Sequence, residues 1–168
     1  MPGGDTVLFH LISALLLLLS VATQYAWPEW LQLGGAAPLL SLAAVLSIGL
    51  VRGPSAGLVA GFFAAYLSAS VGALGMGGQF ITHIGIGLLA GFFRSVLFST
   101  RITVAIIAAL IATIATSLIN LILAPPPEVF SWLRLTAMTS IVTALWTIPV
   151  FAVFRAIARR FSPDTGEY

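Results

Sequence analysis

Six apolar stretches, set apart by short punctuations of glycine, proline, tryptophan or arginine, make up almost the whole chain. The first, residues 6–26, is centred on Leu15 to Leu19 and matches the roughly 20 residues needed to cross hydrocarbon. Ser20-Val21-Ala22 imitates the small-x-small site of a cleavable leader, but no lysine or arginine precedes the run, so the reading is a first spanning helix. Tyr25, Trp27 and Trp30, with Pro28 and Glu29 between them, then read as an aromatic belt on a short interfacial loop. The second stretch, residues 36–51, is opened by Pro38, preceded by Gly34-Gly35, and short for a span; a short, untilted or partly re-entrant helix fits it.

The third stretch, residues 54–73, begins at the turn Arg52-Gly53-Pro54, with Pro54 suited to a first helical turn. Gly53, Gly57, Gly61, Ala65 and Ala69 recur every fourth residue, which draws one smooth strip along a helix. Gly72, Gly75, Gly77 and Gly78 predict a flexible loop with Met76 at its tip; without the lysine and hydroxyl of a P-loop it is no phosphate cradle. The fourth stretch, residues 80–98, carries Gly87 and Gly91 in register with His83 and ends at Arg94 and Arg101. Apolar side chains gain little by leaving lipid for one another, so helices in a bilayer associate where small residues let backbones approach. The strips of the third and fourth helices are therefore expected to face each other within the chain. The fifth stretch, residues 102–124, is closed by Pro125-Pro126-Pro127, and the sixth, residues 135–157, holds Pro149, a predicted kink. The polar tail beyond Phe161 is expected to be disordered.

The pattern is that of an all-α polytopic membrane protein, one domain over residues 1–168 with six spans. Composition agrees, because 60% of the 168 residues are hydrophobic and 7% charged, where a soluble domain carries about a quarter charged. Cysteine is absent, which excludes disulfides and thiolate chemistry, and lysine is absent too. All seven positive charges are arginines placed at segment ends, a pattern of anchors that gives no nucleic-acid surface. Six of them fall on one side of a six-span topology and Arg134 alone on the other, so both termini are expected in the cytoplasm.

Candidate chemistry is sparse. Asp5, Glu29, Glu128, Asp164 and Glu167 all lie outside the spans, so no acidic pair forms at the midplane. His10 and His83 stand alone, without a partner at metal-ligand spacing, and are read as interfacial or hydrogen-bonded rather than catalytic. No serine sits in a Gly-x-Ser-x-Gly context. Catalytic, cofactor and metal sites are therefore not expected. Thr113, Thr116, Ser117 and Asn120 share one face of the fifth stretch, and Thr136, Ser140, Thr143 and Thr147 one face of the sixth. Such faces serve helix packing or line a ligand pocket, and hydroxyls alone identify no substrate.

The order of these features resembles the rod shape-determining protein MreD family. It is carried by the aromatic loop, Pro38, the run Leu-Val-Arg52-Gly53-Pro54-Ser-Ala-Gly57-Leu-Val-Ala-Gly61-Phe62, the glycine loop and Gly87-Leu-Leu-Ala-Gly91-Phe-Phe-Arg94. Ser68-Ala69-Ser70 stands where that family often carries an acid, so no role of that acid transfers. The resemblance implies a non-enzymatic subunit of the bacterial elongation machinery in the cytoplasmic membrane. Its partners would be a single-span MreC-like protein and, through it, the cell-wall synthase and cytoskeletal filament. The resemblance also implies a six-helix fold similar to the substrate-binding subunits of energy-coupling-factor transporters, which supplies the alternative function of vitamin uptake. Pro38, Arg52, Gly53, Gly57, Gly61, Gly87, Gly91 and Arg94 are the residues expected at helix-packing or partner contacts.

Overall fold

A computed structural model describes residues 3–71, 76–96 and 102–161 as helices joined by short connections. The helices are α1 (Gly3–Tyr25), α2 (Leu40–Arg52), α3 (Pro54–Val71), α4 (Met76–Val96), α5 (Ile102–Leu123) and α6 (Val129–Phe161), with one 3₁₀ turn at Glu29–Leu31. Five of them, all but α2, are long and apolar enough to cross a membrane. Their outward faces present Leu, Ile and Phe side chains, as a helix facing lipid requires.

α2 is the axis of the bundle. Every residue from Leu40 to Val51 is buried, and a helix apolar on all sides must be surrounded. α3, α4 and α6 pack closest to it, with α1 and α5 completing the ring. Phe9, Leu42, Leu46, Leu50 and Phe151 form one core cluster, and Leu17, Ala44, Val45, Ile48 and Phe154 a second on the adjoining face.

At 13 residues α2 is about 20 Å long, short of the roughly 30 Å of a hydrocarbon layer. The expected span of residues 36–51 is therefore corrected. Helix begins only at Leu40, and residues 36–39 run extended into the bundle, with Ala36 and Pro38 buried. The local chemistry explains the delay. Gly34 and Gly35 turn the chain at φ of 63° and 84°, Leu33 and Ala36 exchange backbone hydrogen bonds, and Pro38 disfavours helical geometry at the residue before it. Inside hydrocarbon such backbone needs partners, and side chains provide them: the Leu39 N–H donates to Thr143 Oγ1 at 3.0 Å and the Ser41 N–H to Gln24 Oε1 at 2.9 Å.

Two further boundaries move. α4 starts at Met76 rather than residue 80, so Met76, Gly77 and Gly78 are helical and not loop. A Cβ on Gly78 would stand 3.2 Å from Leu123 Cδ1, so α4's first turn lies on the end of α5, and packing overrides the weak helix propensity of glycine. α6 runs from Val129 to Phe161, well beyond 135–157 at both ends. Its start follows the prolines directly, with Trp132 N–H bonded to the Glu128 carbonyl and Ser131 Oγ donating to Glu128 Oε2 at 2.8 Å. The helix continues through Pro149. α1, α3 and α5 lie within a few residues of the expected 6–26, 54–73 and 102–124. Gly72, Gly75, Arg101 and the tail after Phe161 fall outside the described residues.

Candidate functional site

α3 and α4 form the closest helix pair, antiparallel, with Pro54 opposite Gly91, Gly57 opposite Gly87 and Gly61 opposite His83. A Cβ built on Gly57 would run into the Gly87 carbonyl, one on Gly87 into the Gly57 carbonyl, one on Gly61 into the His83 carbonyl, and one on Gly91 into Pro54. Gly49 of α2 joins the same seam, since its Cβ would fall 2.7 Å from the Gly87 carbonyl oxygen and 3.0 Å from Ala90 Cβ. Three backbones thus meet at Gly87 with no side chain between them. Each atom there has close dispersion partners, and a gap of even half an ångström forfeits a sizeable part of that attraction. Gly49 precedes Gly53 by four residues, so the fourfold spacing of Gly53, Gly57 and Gly61 extends back to it across the turn.

Of the other expected residues, Gly53 adopts φ of 95° between α2 and α3, a conformation that side chains avoid, and its amide closes the end of α2 on the Gly49 carbonyl. Arg94 approaches this turn, with Nη1 3.7 Å from where a Gly53 Cβ would lie. The Arg52 guanidinium sits over the Phe9 ring at 3.7 Å from its centroid. Pro38 lies apart, buried in the extended lead-in to α2. The eight residues therefore divide. Seven gather along the α3/α4 seam and the turn that precedes it, and Pro38 belongs to the opposite half of α2.

That opposite half holds a buried polar chain. His83, 4% exposed, has Nδ1 3.0 Å from the Gln79 carbonyl, which only accepts, so the proton is on Nδ1 and Nε2 is left to accept. Ser41 Oγ lies 3.0 Å from that Nε2 and 2.9 Å from Gln24 Oε1, while the Ser41 N–H also donates to Gln24 Oε1. One hydroxyl proton thus lies between two acceptors. The chain ties α1, α2 and α4 together where α2's first turn leaves N–H groups without helical partners. Thr82 Oγ1 bonds back to the Gly78 and Gln79 carbonyls. Gln24 and Gln79 carry no signal in the sequence beyond being polar residues near the ends of apolar stretches.

On the hydroxyl faces of the last two helices, three side chains bond to their own backbones, while Thr116 Oγ1 is buried without a hydrogen-bond partner. Thr113 Oγ1 donates to the Ala109 carbonyl, Ser140 Oγ to Thr136 and Thr147 Oγ1 to Thr143, at 2.7–2.8 Å. Thr143 Oγ1 accepts from the Leu39 N–H in the lead-in to α2. His10 is exposed on α1. Among the described residues no three His, Cys, Asp or Glu side chains come together as a metal-binding group. No protein-family model, no curated protein and no solved structure matches the chain.

Two outcomes follow. Gly57→Ala places a methyl against a backbone carbonyl that cannot turn aside, so it should destabilise the detergent-solubilised protein by about 1–3 kcal/mol, whereas Gly85→Ala, with open space around its Cβ, should be neutral or stabilising. Paired thermal-melting curves check both. Gln24→Ala strips the Ser41 N–H of its acceptor inside the bundle and should cost about 1–3 kcal/mol, a loss that Gln24→Glu partly restores by keeping an oxygen in place. Chemical or thermal unfolding of the three proteins measures it.

Proposed function

We propose that this chain is a non-enzymatic scaffold subunit of the bacterial cell-elongation machinery, of the MreD type, which holds an MreC-like single-span protein in the cytoplasmic membrane. The cell-wall synthase is then reached through that partner, and the bundle is a six-helix fold like that of the vitamin-transporter substrate subunits. Arg52, Arg94, Arg155, Arg159 and Arg160 share one end of the bundle and Arg134 stands at the other, which supports cytoplasmic termini.

The observation that carries the reading is the contrast between interior and flank. Inside, Ser41 links Gln24 to His83, His83 is held on the Gln79 carbonyl, and Thr113, Ser140 and Thr147 bond to carbonyls of their own helices. On the flank, an apolar groove of about 350 Å³ opens between α4 and α5, lined by Ala90, Ala108, Ala112 and Ala115 together with the buried Leu46, Leu50 and Ile86 and the exposed Phe93 and Ile111. The four alanines in this lining give a docking transmembrane helix room for close approach.

Ala108→Phe and Ala115→Phe fill this groove from half-buried positions. Co-expressed with a tagged MreC-like protein, both variants should keep the parental melting temperature and lose most of the partner recovered in detergent. Retention of a vitamin-sized mass by the parent in native mass spectrometry, with no second polypeptide, would overturn the scaffold reading.

A further inference from the structure

A second groove, about 780 Å³ in volume, runs between α1 and α3 with Ile48 of α2 at its base. We propose that it is a binding site for one anionic phospholipid, with the phosphate at the arginine-bearing end and the tails lying along the groove. This site is separate from the α4/α5 groove and does not depend on the scaffold reading.

Four features converge at the arginine-bearing mouth. α3 begins there, and the Ser55 and Ala56 N–H groups, in its first turn, have no carbonyl to bond within the helix. The positive end of the helix dipole favours an anion at this point. The Arg52 guanidinium stands two residues before the helix and lies over Phe9, which lines the groove. The exposed His10 lines it from the α1 side.

One helical turn deeper is an observation independent of charge. Ser13 is 6% exposed, lines the groove, and its Oγ has no hydrogen-bond partner. A hydroxyl in hydrocarbon could have turned back to its own helix, as Ser20 does to the Leu16 carbonyl at 2.8 Å, so the unused donor marks a place for an acceptor. From His10 to Ser13 the helix rises about 4.5 Å, a separation suited to a phosphate at the first level and a glycerol ester carbonyl at the second. Beyond Ser13 the lining turns apolar, with Leu17, Val59 and Phe63 beside the path of the tails, ending at Tyr66. The volume lies within the roughly 300–1,000 Å³ of sites that enclose small molecules. A groove graded from cationic through hydroxyl to apolar, with the Tyr66 ring at its far end, matches a phospholipid rather than a helix, whose polar groups are all paired internally.

The test is native mass spectrometry of the full chain in detergent with phosphatidylglycerol or phosphatidylcholine of identical tails. The parent should retain one phosphatidylglycerol, about fivefold in preference to phosphatidylcholine, as expected when one interfacial cation meets an anionic lipid. Ser55→Asp sets a negative charge at the helix start, where it favours folding but repels phosphate, and should abolish the preference. Val59→Trp, at an exposed wall position, should remove retention of both lipids without lowering the melting temperature. Equal retention of the two lipids by the parent overturns the proposal. Undiminished phosphatidylglycerol on Val59→Trp also overturns it, as does loss from that variant of a co-expressed single-span polypeptide while the lipid stays.

Discussion

Two helix backbones touch where Gly57 opposes Gly87, and the bundle is arranged around that contact. In water, burying apolar side chains would bring these helices together, but against lipid tails that gain is small and close packing has to supply the attraction. Packing is strongest where backbones meet directly, and only glycine permits this. The seam then dictates its surroundings. Gly61 against His83 and Gly91 against Pro54 fix the antiparallel register of α3 on α4, and Gly49 brings α2 into the same close contact. With three elements locked at one level, α1, α5 and α6 wrap the remaining faces of α2 through larger side chains such as Phe9, Leu17, Phe151 and Phe154.

The second constraint comes from the polar backbone. α2 does not reach across the layer, and the extended residues ahead of it bring peptide groups into the interior. Each needs a partner where water is scarce. Gln24 on α1 and Thr143 on α6 provide them for Ser41 and Leu39, and His83 extends the chain to α4. The polar chain therefore binds the half of the bundle remote from the arginine end, while glycines bind the seam from mid-bundle to that end. The two devices divide the labour along α2, one by dispersion and one by hydrogen bonding.

What can be read from the sequence follows from the range of the forces involved. The fourfold spacing of Gly53, Gly57 and Gly61 is local, so the smooth strip on α3 and its counterpart at Gly87 and Gly91 are legible in the residues alone, as are the hydrophobic runs of α1, α3 and α5. The start of α2 is not, because Pro38 suits a helix start and an extended approach alike, and the choice is made by Thr143 on a distant helix. The start of α4 is hidden for the opposite reason: Gly77 and Gly78 read as loop, and the contact of Gly78 with the end of α5 is visible only in three dimensions. Gln24, Ser41 and His83 sit on three different segments, and nothing in their spacing announces that they meet. Ser13 is similarly silent, since a serine in an apolar run commonly bonds its own carbonyls and its failure to do so is visible only in three dimensions.

The central claim is that Gly57 and Gly87 share one backbone contact, and a double-mutant cycle tests it most directly. Gly57→Ala and Gly87→Ala each force the same two helices apart. If the two backbones touch there, the first substitution opens the gap that the second needs, and the double variant should be destabilised about as much as the worse single one, leaving a coupling energy of about 0.5–3 kcal/mol. Additive losses, within about 0.5 kcal/mol, would mean that the two glycines lie in separate contacts and would contradict the account.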